Sequence, residues 1–360
     1  AAEALAPPWR GDALAKVAAR LAEERHPVVS QALVRTLLAM LRTADGGEPD
    51  ARDAALAQAL QQFGRCGWRT DMDLLDLVEA FPRKAAIPVL IAALDLELRS
   101  PDALVTAINK RASPLLRERA SGLLRAMTGA LVLGDDPAAW REFWAREQDK
   151  IVVPRTLAKP RSDGTRAQFF GVPVTGGAIA FLIDTSGSMA YAPGGAPATG
   201  PRRRSSESRL AAAKEQLGLC VQAMPPESTY SVFTFAERGR SWTATPCKPG
   251  PQNLRSLTEL LSRFHARGGT NLHDGLVQAL QFGERRHGEV PTSRIDELFV
   301  LSDGEPTSGP VQAADDLLAI VREANKYAKV RIHAVFTGTG TGSDLLRRLA
   351  EENGGVYVQR

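Results

Sequence analysis

Continuous apolar runs alternate with amphipathic stretches through the C-terminal half of the chain. The apolar runs lie near 178–184, 229–235, 295–302, 330–336 and 355–359. Helical spacing of apolar residues falls near 208–224, 253–265, 271–283, 311–328 and 343–353. Strands that are apolar along their whole length are typical of sheets buried on both faces. We therefore predict an α/β fold in which a central, mostly parallel sheet is flanked by helices.

A shorter apolar run, FFGVPV at 169–174, precedes the first of these strands. Thr175-Gly176-Gly177 joins this run to the strand 178–184. Two strand-like runs separated by a short glycine-containing loop are typical of a β-hairpin. We expect 169–174 and 178–184 to pair with each other.

The N-terminal part, residues 12–149, has almost no strand signal and carries apolar residues at helical spacing. The stretch KAAIPVLIAALDL and the later SPLLRERASGLLRAM together resemble one helical pair of a HEAT-type repeat, and GDDPAAWREFWAREQDKI resembles the closing helix of bacterial HEAT-like domains. An irregular helical bundle is the alternative. We expect an all-helical HEAT-like domain over 1–152, a linker over 153–167 and the α/β domain over 168–360.

Composition sets wide limits on the class of protein. The chain has 360 residues, of which 44% are hydrophobic, and its net charge is +4. That length allows two domains, and no apolar run approaches the roughly 20 residues of a membrane-spanning helix. Three cysteines without a CxxC pair predict neither a disulfide framework nor a thiolate zinc site.

The opening AAEALAPP resembles the remainder of an export signal, so a periplasmic or cell-surface location is one expectation and the cytoplasm is the other.

Oxygen-bearing side chains follow the strand ends in three loops of the α/β domain. Asp184, Ser186 and Ser188 directly follow the first strand, Thr270 opens a helix after two glycines, and Asp303 follows the strand 295–302. In an open α/β sheet, ligands bind beyond the carboxyl ends of the strands. Two carboxylates and three hydroxyls, without imidazole or thiolate, are suited to Mg²⁺. The spacing predicts a divalent-metal site at this edge of the sheet.

The small number of carboxylates has a consequence for the ligand of such a metal. Two carboxylates only just neutralise a divalent cation, so the metal stays electrophilic. A vacant coordination position would then attract a carboxylate from another molecule. We predict that a partner presents that group.

The complete set, D-x-S-x-S at Asp184, Ser186 and Ser188 with Thr270 of GGTN and Asp303 of LSDG, resembles the metal-ion-dependent adhesion site of von Willebrand factor type A domains. The resemblance covers 168–360. It implies a Rossmann-like fold, Mg²⁺ or Mn²⁺ at the site, and a partner protein whose Glu or Asp completes the coordination. It also implies that the three hydroxyls are metal ligands and that the two aspartates bind directly or through water.

A segment rich in Gly, Pro and Arg, residues 190–207, follows the D-x-S-x-S loop and is longer than the simplest type A domains carry. Its basic run, Arg202, Arg203 and Arg204, is expected to form the rim of the partner-binding face. A solvated loop without a binding role is the alternative.

Other functions are less well supported by the sequence. An enzyme is not indicated, because the five histidines are scattered and neither HExxH nor GxSxG occurs. The stretch FTGTGTGSDLL lacks the spacing of a dinucleotide site and the lysine of a phosphate-binding loop. Helical repeats before a type A domain also resemble the RNA-binding Ro autoantigen family, but the helical part is short for its ring. A partner of an AAA+ ATPase is a further alternative. We expect a non-enzymatic adhesion or adaptor protein; the oligomeric state stays open.

Overall fold

The computed structural model describes residues 13–42, 49–95, 103–157, 167–192, 208–281, 293–340 and 342–360. Clustering of the chain gives two compact units, Ala1–Ser162 and Asp163–Arg360. Each unit has its own apolar core among the described residues. No helix in the described ranges is both long and apolar enough to cross a membrane.

The described elements of the first unit are helical. Its α-helices are α1 (Ala13–Glu23), α2 (Pro27–Arg42), α3 (Pro49–Leu60), α4 (Trp68–Ala80), α5 (Ile87–Leu94), α6 (Ala103–Thr128) and α7 (Pro137–Glu147). Short 3₁₀ turns at Lys84–Ala86 and Gln148–Lys150 follow α4 and α7. Helices close in sequence pack together, as α1 does with α2 and α3, and α5 with α6. The unit is therefore helix-rich, and a HEAT-like repeat stays a prediction.

Two details of this unit differ from the sequence-based expectation. The helix predicted from SPLLRERASGLLRAM begins earlier, because α6 runs through Pro114 from Ala103. Val153 and Leu157, which were assigned to the linker, pack against the core around Trp140. Their apolar side chains gain burial there, although the segment around them has no periodicity.

The second unit is built on a mixed sheet whose described strands have the order β5-β4-β3-β6-β7-β8. These strands are β3 (Ala178–Asp184), β4 (Thr229–Phe235), β5 (Gly239–Ser241), β6 (Glu297–Ser302), β7 (Arg331–Phe336) and β8 (Gly354–Gln359). All neighbouring pairs are parallel except β4 and the short edge strand β5. Every residue of β3, β4 and β6 is buried. Their continuous apolar sequences follow from this burial on both faces.

Helices cover both faces of the sheet. They are α8 (Arg209–Ala223), α9 (Pro251–Ser262), α10 (Leu272–Leu280), α11 (Ala314–Asn325) and α12 (Ser343–Glu352). One core joins α10, α11 and α12 to one face, and another joins α8 and α9 to the other face. The structure therefore has the predicted α/β architecture with a mostly parallel sheet.

The predicted hairpin between 169–174 and 178–184 is wrong. The run folds on itself instead, because β1 (Gln168–Phe169) pairs with β2 (Val172–Pro173) in a separate two-stranded sheet. Phe170 and Gly171 make the turn with φ of 51° and 81°, a left-handed region that suits glycine. Strand β3 has β4 and β6 on its two sides, so neither of its edges is free for a hairpin partner.

A buried carboxylate holds the start of β3 to the rest of the sheet. Glu297 accepts hydrogen bonds from the backbone N–H groups of Thr175 and Gly176, at 2.9 and 2.8 Å, and from the Thr175 hydroxyl. His333 donates to it through Nε2 at 2.9 Å, since the Nδ1 atom accepts the N–H of Val356. Burial alone would raise the pKa of Glu297, but the hydrogen bond from His333, the charge of Arg331 and the backbone N–H of Gly176 lower it to about 2.

Candidate metal site at the carboxyl edge of the sheet

The three predicted ligand loops lie at one edge of the sheet. Asp184 is the last residue of β3, and Asp303 directly follows β6, its parallel neighbour. Thr270 precedes Asn271, whose side chain caps α10 by accepting the N–H of Asp274 at 3.0 Å. The backbone N–H of Asn271 donates at 2.6 Å to the carbonyl of Ala236, just beyond β4. The loop of Thr270 is thus attached to the same end of the sheet.

Hydrogen bonds connect four of the five predicted ligands. Asp184 Oδ1 accepts the backbone N–H of Ser186 at 2.7 Å, and the hydroxyl oxygens of Ser186 and Ser188 lie 3.1 Å apart. The Ser188 hydroxyl donates to Asp303 Oδ1 at 2.7 Å. The Ser302 hydroxyl donates to Asp184 Oδ2 at 2.6 Å. Asp184 and Asp303 therefore face a common pair of serine hydroxyls.

Thr270 reaches this cluster through its backbone. The N–H of Gly187 donates to the carbonyl of Gly268 at 3.0 Å, which joins the Thr270 loop to the D-x-S-x-S loop. Thr270 itself exchanges two hydrogen bonds of 2.9 Å with Thr307, its N–H to Oγ1 and its carbonyl to the N–H. Its hydroxyl has no hydrogen-bond partner among the described residues. That group is left available as a donor oxygen.

Burial controls the charge of Asp184. The side chain is completely buried, and this desolvation raises its pKa to about 6, although hydrogen bonds from Ser186 and Ser302 act in the opposite direction. The nearby charge of Asp303 raises the pKa further. A cation beside Asp184 would offset the cost of holding this carboxylate in its ionised form.

A buried arginine that the sequence analysis missed is attached to the cluster. Arg209 Nη1 donates to Asp303 Oδ2 at 2.5 Å, and the two side chains are only 6% and 0% exposed. Its Nε atom is buried and has no hydrogen-bond partner in the part of the chain that the structure describes. Arg209 is the first residue of α8 and follows the segment 190–207, and no motif in the sequence marks it as part of the site.

The donor set fits a hard divalent cation. Two carboxylates and three hydroxyls are oxygen donors of the kind that Mg²⁺ and Mn²⁺ accept. The Ser308 hydroxyl, next to Gly269, is buried and has no hydrogen-bond partner within the described ranges. No group of three or more His, Cys, Asp or Glu side chains that could hold a metal ion is found among the described residues.

The predicted rim residues Arg202, Arg203 and Arg204 lie outside the described residues, within 193–207. Their expected place beside the site stays a prediction.

Comparison with known proteins supports the identity of the second unit. Residues 203–359 match the family model of the von Willebrand factor type A domain. The match supports a type A domain with its Rossmann-like α/β fold in this part of the chain. It includes Thr270 and Asp303 but begins after the D-x-S-x-S loop.

Curated relatives align with about half of the chain. This chain is 27% identical over 188 residues to inter-alpha-trypsin inhibitor heavy chain H1 of Mesocricetus auratus. The alignment covers 51% of this chain and 18% of that protein. Heavy chain H4 of Bos taurus is 26% identical over 184 residues, with coverage of 49% and 18%. The chain thus spans about a fifth of the length of these relatives.

Solved structures show similarity over the same share of the chain. A von Willebrand factor type A protein from Catenulispora acidiphila is 22% identical and has a TM-score of 0.37. The similarity covers 51% of this chain and 38% of that one.

Proposed function

We propose that the chain is a non-enzymatic protein-binding protein, an adhesion or adaptor molecule, whose type A domain binds its partner through a divalent metal. Asp184, Ser186, Ser188, Thr270 and Asp303 would hold Mg²⁺ or Mn²⁺. When bound, the metal supplies a Lewis-acidic position for an Asp or Glu of the partner. The helical unit would serve as a HEAT-like scaffold.

The observation that carries this proposal is the oxygen-only donor set at the carboxyl ends of β3 and β6. Two carboxylates flank two serine hydroxyls, and hydrogen bonds of 2.7 and 3.1 Å hold this arrangement. With one carboxylate paired to Arg209, the protein supplies little negative charge to neutralise a divalent cation. A carboxylate from outside is therefore the natural remaining ligand.

The relatives support the same class of function. Inter-alpha-trypsin inhibitor heavy chains carry the region that this chain resembles, and type A domains of this kind are interaction modules rather than catalysts. Among the described residues, the side-chain hydrogen bonds of Ser186 and Ser188 run to each other and to carboxylates, and no histidine takes part in them.

Metal binding is tested first, by calorimetric titration of the full chain with Mn²⁺. Asp184→Asn keeps the side-chain shape but removes the charge, and Ser188→Ala removes one hydroxyl. Both are expected to weaken binding by at least tenfold. Ser262→Ala removes an exposed hydroxyl on α9 and is the matched control, which should bind as the wild type does. Unchanged Mn²⁺ affinity in Asp184→Asn would reject the assignment of the site.

Partner binding is tested by affinity capture with the full chain as bait in Mg²⁺, followed by elution with EDTA. Proteins that need the metal should elute with EDTA from wild-type and Ser262→Ala baits and should be missing from the Ser188→Ala bait. Partners that stay bound in EDTA would contradict the metal-dependent mechanism. Bound RNA that resists EDTA and dissociates in salt would instead support the RNA-binding alternative.

A further inference from the structure

A cavity of about 520 Å³ opens next to the candidate metal site. It lies between the β4–β5 edge of the sheet and the segment 263–268, which follows α9. Thr185 and Gly268 border it, and both belong to the loops that carry the proposed metal ligands. A molecule bound at the metal therefore has this cavity as its neighbour.

The lining of the cavity is strongly basic. Four of the described lining residues are exposed arginines, Arg238, Arg240, Arg263 and Arg267. One lining residue is a glutamate, Glu237. None of these four guanidinium groups makes a hydrogen bond or an ion pair with the described residues. Arg240 lies over the ring of Trp242 at 5.1 Å.

Several other arginines of the same unit have carboxylate partners. Exposed Arg322 and Arg347 and half-buried Arg348 each pair with a carboxylate of the chain. The arginines of the cavity thus form a concentration of positive charge that the described part of the protein does not itself neutralise. Guanidinium groups bind carboxylates in bidentate geometry, which makes them specific receptors for acidic side chains.

The walls of the cavity are held in place before any ligand binds. Trp242 donates through Nε1 to the Thr234 hydroxyl at 2.7 Å and packs on Phe264, with 5.1 Å between ring centroids. Lys214 donates to the carbonyl of Phe264 at 2.7 Å. The N–H of Arg267 donates to the carbonyl of Thr185 at 2.8 Å. A fixed wall lowers the entropic cost of binding a charged group.

We infer that this arginine-lined cavity is a second subsite for the partner, which binds an additional Asp or Glu of the segment whose first carboxylate completes the metal site. The inference rests on the proposed function. The cavity has room for one or two side chains, and Glu237 disfavours a continuous polyanion. An extended chain advances about 3.3–3.6 Å per residue, so acidic residues roughly two to four positions apart would reach both subsites.

The test measures binding of synthetic peptides to the full chain by fluorescence anisotropy. Each labelled peptide consists of Gly and Ser around one Glu. A second position, two, three or four residues away on either side of that Glu, carries either another Glu or an isosteric Gln. The ratio of the two dissociation constants reports the second carboxylate alone. Arg240→Gln and Arg267→Gln remove one charge from the cavity. Arg294→Gln removes one exposed charge just before β6, at the opposite end of that strand, and is the matched control.

In Mg²⁺, the best two-Glu peptide should bind the wild type about tenfold more tightly than its Glu–Gln counterpart, the effect of one charge-assisted contact. This ratio should fall to about threefold or less in Arg240→Gln and Arg267→Gln and should stay near tenfold in Arg294→Gln. A ratio near one in the wild type, or an equal ratio in all variants, would overturn the inference.

The two proposals fail in different ways. If the Glu–Gln peptide binds equally well in EDTA, the metal-dependent function is rejected, and the coupling of the two subsites is rejected with it. If that peptide needs Mg²⁺ but the second Glu adds nothing, only the cavity inference is rejected. An oligothymidylate that binds through the same arginines in EDTA would show a general polyanion surface and would also overturn the inference.

Discussion

Replacing Arg209 by Gln should make the protein less stable without metal and should make it bind Mg²⁺ more tightly. Arg209 and Asp303 form a buried ion pair at 2.5 Å, with side chains 6% and 0% exposed. Removing one member of a buried pair costs about 3–5 kcal/mol, because the other charge is left buried without compensation. Gln can still donate a hydrogen bond to Asp303, so we expect the lower end of this range.

A divalent cation at the site would supply the compensating charge that the Gln variant lacks. Most of the penalty would then disappear in the metal-bound state. By the thermodynamic cycle, recovery of about 2.7 kcal/mol corresponds to roughly 100-fold tighter metal binding. The wild-type arginine, in contrast, competes with the metal for Asp303.

Two measurements on the full chain check this reasoning. Mn²⁺ titration by calorimetry gives the ratio of dissociation constants, and urea unfolding in EDTA and in excess Mg²⁺ gives the change in stability. Arg209→Lys keeps the positive charge and should bind metal nearly as the wild type does. Equal or weaker metal binding by Arg209→Gln, with a loss of stability as large in excess Mg²⁺ as in EDTA, would refute the idea that Arg209 opposes the metal.

Three other changes have defined outcomes. Asp71 is buried, which raises its pKa to about 7, and its Oδ2 has no hydrogen-bond partner among the described residues. The unfolded chain loses this proton near the ordinary aspartate pKa of 3.8, so the stability of the wild type should fall as pH rises from about 4 to 7. Asp71→Asn should remove that fall and raise the free energy of unfolding by about 2–4 kcal/mol at pH 7.5, as measured by urea unfolding at several pH values. Parallel pH profiles of the wild type and the variant would contradict this expectation. The pKa of Glu297 is lowered to about 2, so its ionised form stabilises the fold above pH 4.5 and this stabilisation is lost as pH falls toward 2. By the same assay, Glu297→Gln should cost about 3 kcal/mol of unfolding free energy at pH 7 and little at pH 2.5. An equal cost at the two pH values would count against this expectation. Limited proteolysis should cut first within 153–167 and leave two folded fragments, as judged by mass spectrometry and circular dichroism; early cleavage inside β6 would contradict the boundary.

The strands of the α/β unit could be predicted because burial on both faces requires apolar residues along the whole strand. β3 and β4 begin and end at the predicted residues, and β6 begins two residues later than predicted. The cap at Asn271 was likewise visible, since its position before an apolar helix is typical of an N-cap. The predicted strand ends also placed the oxygen-bearing residues at the carboxyl edge of the sheet.

Features that depend on tertiary contacts were not visible. β5 is three residues long and has no buried position, so its sequence carries no apolar pattern. The carboxylate of Asp274 accepts the N–H of Gly239 in β5 at 2.6 Å, a contact between residues 35 positions apart in sequence. The four arginines of the cavity come from two segments separated by more than twenty residues. Only the fold brings them together.

The network around Glu297 also has a consequence for the order of folding. Its hydrogen-bond donors at Thr175 and Gly176 are 122 and 121 residues away in sequence, and His333 is 36 residues away. This carboxylate loses its hydration when β6 becomes covered, and it gains its donors only when the start of β3 and strand β7 are in place. Partial sheets therefore leave a buried charge without partners, which raises their free energy. Contacts of such high sequence separation slow folding but make it cooperative, so the central strands are expected to gain protection from hydrogen exchange together rather than one by one.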